Sequence, residues 1–229
     1  MKVWIDAGHG GSASGAVNGS RMEKDDTLKL AKLVQSAFER CGAQTVMTRT
    51  ADVYVSLSDR TNLENRSGCD LAVSLHRNSA SADACGVEIW LHHLAPASYV
   101  QWAELVLKEL QAVGISKNRG VKKGYRGDAN ADYAVNRDTK APSMMIELGF
   151  ISNAGDNRDY DAKLPQYAEA IVKGCCNWKG VTYQPPKQEQ APAGKLYRVQ
   201  VGAFQSRENA QHLKEQLEEK GYPAFITLS

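Results

Sequence analysis

Five short apolar runs, at residues 3–5, 45–48, 71–75, 87–91 and 143–146, alternate with longer stretches in which apolar residues recur at helical spacing. This alternation constrains the fold more than any other feature of the chain. Leu28, Ala31, Val34, Ala37 and Phe38 share one helical face, and Gly42 supplies a stop signal. Residues 56–67 read as a polar helix, 99–113 as an amphipathic one and 160–178 as a last one. Strand and helix taking turns in this way predict an α/β domain, a largely parallel twisted sheet with helices on both faces. A Gly-rich loop is expected from Gly120 to Gly127.

The alternation stops near residue 178. Residues 181–195 carry three prolines, polar residues and no periodicity, which is the composition of an extended linker. Beyond it the pattern returns as strand (197–201), helix (207–220) and strand (224–228), with Ala210, Leu213 and Leu217 on one helical face. The expected organisation is a first domain over 1–178, a linker over 179–195 and a small βαβ unit over 196–229. At roughly 150 residues per domain, 229 residues hold one or two domains. With 42% hydrophobic and 24% charged residues, a core of ordinary size can form.

Several function classes are disfavoured. The net charge is +2 with basic residues scattered, whereas a nucleic-acid partner calls for a concentrated basic face. No apolar run approaches the ~20 residues of a membrane span. The five cysteines, Cys41, Cys69, Cys85, Cys175 and Cys176, are odd in number and form no C-x-x-C, so they read as reduced and mostly core-filling.

Chemistry is concentrated at strand ends. His9 follows the first strand in DAGHGG, His76 ends the third, and Glu147 ends the strand that begins at Ser143. In an open parallel sheet, sites form beyond the carboxyl ends of strands, so these residues meet on one edge. Two histidines and a carboxylate with an open position make a catalytic metal set, and a second carboxylate serves as base. By position alone the constellation is a metal or a phosphate site, since GHGG also reads as a tight loop or an anion-binding nest. Glu23, beside Lys24, Asp25 and Asp26, also suits the positive end of the following helix.

Taken together and in order, DAGHGG, RMEKD, SLHRN and IELGFISN resemble the zinc-dependent N-acetylmuramoyl-L-alanine amidase family of cell-wall hydrolases over about residues 1–178. The resemblance implies Zn2+ held by His9, Glu23 and His76, with Glu147 as the catalytic carboxylate. It implies supporting or substrate-facing roles for Asp6, as a partner orienting His9, and for Asn78 and Arg137 at the cleft. Peptidoglycan is the implied substrate. Arg77 departs from the small or apolar residue usual after the second histidine; a solvated charge and a contact to a peptidoglycan carboxylate are the two readings. His92 and His93 are expected to be structural or exposed. The extra helix that plugs the zinc cleft in some members has little room between Val87 and Ile146, so an open cleft is expected.

The C-terminal segment resembles one repeat of the peptidoglycan-binding SPOR domain. It is expected to pair with its copy in a second chain, giving a homodimer. The beginning of the sequence lacks signal-peptide features. The expectation is therefore synthesis in the cytoplasm and action on the wall after release or lysis, as a mother-cell lysin or a phage endolysin. A non-catalytic module on the same fold is the alternative, against which the complete ligand set and Glu147 argue.

Overall fold

The computed structural model describes residues 1–126, 128, 130–187 and 199–228. It divides into two compact units, Met1–Pro186 and Lys187–Ser229. In the first unit the elements run β1 (Lys2–Ala7), β2 (Val17–Asn18), β3 (Arg21–Met22), α1 (Glu23–Arg40), β4 (Gln44–Met47), α2 (Leu57–Ser67), β5 (Leu71–Asn78), β6 (Val87–Leu91), α3 (Ala97–Val113), β7 (Asn118–Lys123), α4 (Ala134–Asp138), β8 (Ser143–Phe150) and α5 (Ala154–Lys179). Helix α6 (Arg207–Glu219) belongs to the second. No described helix is long and apolar enough to cross a membrane.

Six strands form one sheet in the order β4-β1-β5-β8-β6-β7. β4, β1, β5 and β8 are mutually parallel; β6 is antiparallel to β8 and parallel to β7. The sheet is thus mixed and mostly parallel, as expected. The Gly120–Gly127 loop begins later than the sequence suggests, because Asn118–Lys123 is paired as an edge strand. Gly120, at φ 85°, lies where the register with β6 shifts, and glycine accommodates the backbone such a bulge requires.

Period-two alternation sorts the side chains onto two faces. Val3, Ile5, Leu71, Val73, Leu75, Met144 and Ile146 join one apolar cluster with residues of α1, α3 and α5. Trp4, Ala72, Trp90 and Met145 lie in a second cluster with Val135 of α4. The first layer carries most of the core, and Trp102, Phe38 and Tyr160 fill it with almost no exposure. All five cysteines are free, and Cys175 and Cys176 are buried in that layer.

Residues expected to begin the linker instead stay with the first unit. Val181 and Tyr183 pack against its core, the Tyr183 hydroxyl donates to Glu169, and Arg40 donates to the carbonyl of Gln184. In the second unit the helix forms where expected, with Ser206 accepting from the Asn209 N–H at its start. The two flanking strands do not appear among the described residues: 199–204 and 223–228 carry no strand, and Tyr197 and Arg198 lie outside the described residues.

Candidate metal centre and active site

The turn after β1 is built for close approach. A Cβ on Gly8 would sit 2.4 Å from His76 Cε1, and one on Gly15 would sit 2.6 Å from Glu23 Oε2. Side chains at either position would fill the space the imidazoles and carboxylate occupy. His9 adopts φ 59°, the only non-glycine residue among those described with positive φ. Such a conformation costs on the order of 1–3 kcal/mol and persists when its surroundings fix it. Arg60 fixes it here, donating to the carbonyls of His9 (2.6 Å) and Ala7 (2.8 Å).

Glu23 opens α1 and is 4% exposed. Its Oε2 accepts from the Ala16 N–H (2.9 Å) and lies 3.2 Å from His9 Nε2. Its Oε1 accepts from the Arg77 N–H (3.0 Å) and lies 2.9 Å from His76 Nδ1. The three donor atoms fall within 4.8 Å of one another. Burial disfavours the ionised Glu23 carboxyl, yet the hydrogen bonds and charge of His76 and His9 hold it far below the usual carboxylate range. His76 responds in kind: burial works against its charge, and Glu23 outweighs it, raising the imidazole to about 9. Among the described residues, no His, Cys, Asp or Glu side chain from residues 87–146 joins this group.

Glu147 pairs in register with His76 across β5 and β8. It is half-buried, and its Oε2 is buried without a hydrogen-bond partner. Burial raises its carboxyl to about 7; His76 and Arg126 oppose the shift, while the charges of Glu23 and Glu88 reinforce it. The arrangement therefore offers two imidazoles and a carboxylate facing one point, with a second, protonatable carboxylate on the neighbouring strand.

The supporting residues differ from expectation in three places. Asp6 does not hydrogen-bond the His9 ring. It accepts from Arg60 Nη1 (2.5 Å) and the Ser74 hydroxyl (2.6 Å), so its action on His9 runs through Arg60 and the backbone of the turn. Arg137 is exposed and paired with its neighbour Asp138, with no contact to the ligand group. Arg77 is neither solvated nor at the cleft. At 2% exposure it donates to Asp26 (2.7 Å) and Asn157 (2.7 Å) and stacks 4.2 Å from the Tyr160 ring centroid. Alternation along β5 sends Arg77 to the α1/α5 face while His76 takes the other. Asn78 does sit by the site, donating to Glu88 Oε1 (2.9 Å).

Glu88 escaped the sequence reading. It is cross-strand to Glu147 and accepts from Asn78, Trp90 Nε1, Arg119 and Lys122. A single carboxylate inside the apolar run VEIWL was its signal. His92, His93 and Asp132 form a second histidine–carboxylate group. His92 Nδ1 accepts from the Leu94 N–H (3.0 Å), so the neutral ring carries its proton on Nε2, the atom that faces Asp132. Nε2 lies 3.2 Å from Asp132 Oδ2, His93 Nδ1 meets the same oxygen at 2.5 Å, and the His93 backbone N–H donates to Asp132 Oδ1 (2.6 Å).

Comparison with known proteins agrees with this geometry. The N-acetylmuramoyl-L-alanine amidase family matches residues 3–177, and the SPOR domain matches residues 181–229. The sporulation-specific N-acetylmuramoyl-L-alanine amidase of Bacillus subtilis (strain 168) is 31% identical over 231 aligned positions, covering 100% of this chain and 85% of that protein. Among solved structures, an N-acetylmuramoyl-L-alanine amidase of Clostridium difficile 630 is 31% identical with a TM-score of 0.71, over 78% of this chain and 96% of that one. The amidase AmiC2 of Nostoc punctiforme is 34% identical with a TM-score of 0.70, over 79% and 97%.

Proposed function

The chain belongs to the N-acetylmuramoyl-L-alanine amidase family, and on that premise we propose that it cleaves the amide between N-acetylmuramic acid and L-alanine with zinc held by His9, Glu23 and His76 and with Glu147 moving the proton. The observation that carries this reading is the unpartnered, buried Glu147 Oε2 next to the three-residue ligand group. The donor chemistry fits zinc: two imidazole nitrogens and one carboxylate, the set that leaves a further position for water or substrate in catalytic zinc sites. No described backbone N–H claims either ring nitrogen of His9 or His76 as acceptor, unlike His92.

When bound, zinc supplies Lewis acidity toward the lactyl carbonyl and the attacking water. The chain's residues do the rest. Glu147, ionised, accepts a proton from water as the oxygen attacks the lactyl carbonyl carbon. Now protonated, it returns that proton to the alanine nitrogen as the C–N bond breaks. A carboxyl near neutrality can serve both steps. Asp6 and Arg60 hold the His9 turn, and Asn78 and Glu88 hold the adjacent strands.

Incubation with purified sacculi tests the reading. New N-terminal alanine without new reducing sugar, together with one zinc per chain, supports it. New reducing ends without free alanine contradict it. The sporulation-specific relative supports a lytic role in spore formation over one as a phage endolysin.

We infer that the C-terminal segment pairs with a second copy. Val199, Val201, Phe225 and Leu228 are exposed and α6 has no buried residue. A unit of about 40 residues or fewer seldom folds without such support. Light scattering should show a dimer for the full chain and a monomer for a chain ending at Pro186; a monomeric full chain at micromolar concentration refutes the pairing.

A further inference from the structure

The connection from β7 to α4 brings a cation to the rim of the site that the reaction described above does not use. Tyr125 and Asp128 exchange both backbone hydrogen bonds (3.0 and 2.9 Å), closing a tight turn with Arg126 on it. An aromatic series anchors the turn to the sheet: the Tyr125 and Tyr133 ring centroids are 4.7 Å apart, and Tyr133 meets Trp90 at 5.6 Å. Trp90 stands two residues beyond Glu88, which lies across from Glu147 in the β6/β8 ladder, so this series reaches the same edge.

Arg126 Nη1 donates to Asn78 Oδ1 at 3.4 Å. Asn78 is itself oriented by Glu88 and by the Ser79 N–H, which also donates to Oδ1. The other cations here are committed: Arg119 and Lys122 both donate to Glu88 Oε2, each at 2.7 Å. Arg126 is exposed and forms no ion pair with a described carboxylate. It is thus aimed at the site by one weak contact, with most of its donors unspent. Nearby lie three carboxylates, Glu23, Glu88 and Glu147. Glu88 is neutralised by its two cations and Glu23 by the ligand group, but an anionic substrate still needs an attractive charge to settle against Glu147.

We infer that Arg126 is a substrate-positioning residue that pairs with a free carboxylate of the stem peptide, on the alanine side of the scissile bond. The chemistry is that of a guanidinium fork on a carboxylate. In the stem peptide, the first free carboxylate after L-alanine is the α-carboxylate of the γ-linked glutamate; its amidated form lacks the charge. The inference rests on the amidase reading above. It adds a preference: unamidated stems over amidated ones.

The test compares N-acetylmuramoyl-L-alanyl-D-glutamate, its γ-carboxyl capped as the methylamide, with the corresponding α-amide, so that the two differ only in the α-carboxylate, as substrates for the full-length zinc-loaded wild type, Arg126→Ala and Arg126→Lys, with zinc content and melting temperature recorded for each. Wild type should show a KM roughly tenfold lower for the carboxylate. Arg126→Ala should raise that KM about tenfold, with kcat within about twofold and the amide hardly affected, and Arg126→Lys should recover part of the loss. Equal shifts on both substrates, or a fall in kcat at constant KM, would overturn the assignment while wild-type turnover leaves the amidase reading standing. Wild-type turnover of neither substrate would bring down both.

Discussion

Helices α1 and α6 come from the same kind of amphipathic pattern, yet they end in opposite situations. α1 buries Leu30, Ala31, Val34, Ala37 and Phe38 against the sheet. Each large side chain so buried contributes about 1.5–3 kcal/mol. α6 has no buried residue, and the apolar residues around it, such as Val199 and Phe225, remain open to solvent. The difference teaches that an apolar face specifies a helix but not what covers it. The first unit supplies its own cover and can therefore afford a strained turn and buried charges at one edge. The second leaves its apolar residues uncovered.

If the first unit carries the chemistry by itself, the largest effects come from its ligand edge. His76→Ala should abolish stoichiometric zinc and bring turnover to background, measured by metal analysis and alanine release. Retained zinc with retained turnover would break the assignment of the edge.

Next comes the packing behind that edge. Arg77→Met should destabilise the first unit by about 3 kcal/mol, because it strips one partner from the buried Asp26 carboxylate. The value falls at the low end of the range since Arg21 still pairs with Asp26 (2.7 Å). Denaturant unfolding measures this loss, and a change below about 0.5 kcal/mol would mean Arg77 is solvated after all.

That position also shows what the sequence could and could not say. The strand ends His9, His76 and Glu147 were legible because apolar runs stop there and parallel strands gather their ends on one edge. Alternation along β5 sets the direction of Arg77, opposite to His76. It does not set the burial of Arg77, which depends on Asp26, Asn157 and Tyr160, residues from α1 and α5 whose packing no local pattern encodes. Asp6 reads in the sequence as a partner of His9 but pairs with Arg60, which arrives from a helix that reads only as polar. β7 was hidden by Gly120, which reads as loop unless the bulge it supports is known. In the second unit the helix could be read locally, while a strand depends on a pairing partner that no local pattern names.

A third, smaller effect concerns protons. In metal-free protein the His76 imidazole is raised to about 9, with burial opposing and Glu23 prevailing. A raised folded-state value above an unfolded value of about 6.5 stabilises fully below about 6.5, and the contribution is lost as pH climbs through about 9. The melting temperature of metal-free protein should therefore decline between about pH 7 and 10, and the gain on adding zinc should widen over the same interval. A zinc-induced gain that narrows with rising pH would contradict the proton–metal competition.

The smallest effect is expected at the boundary of the comparison. Removing everything from Lys187 onward should leave the unfolding free energy of the first unit within about 0.5 kcal/mol and its rate on soluble muropeptides within about twofold, while activity on sacculi falls. A truncated chain that cannot unfold cooperatively would mean the first unit does not stand alone.

The central claim is that holding the metal and moving the proton are separate tasks on one sheet edge. Glu147→Gln tests it most directly, with zinc content and alanine release measured on the same preparation. One zinc per chain and a fall in kcat of about 10²–10⁴-fold are expected, the latter being the contribution of a general base. Near-wild-type turnover, or loss of the zinc along with activity, would contradict it.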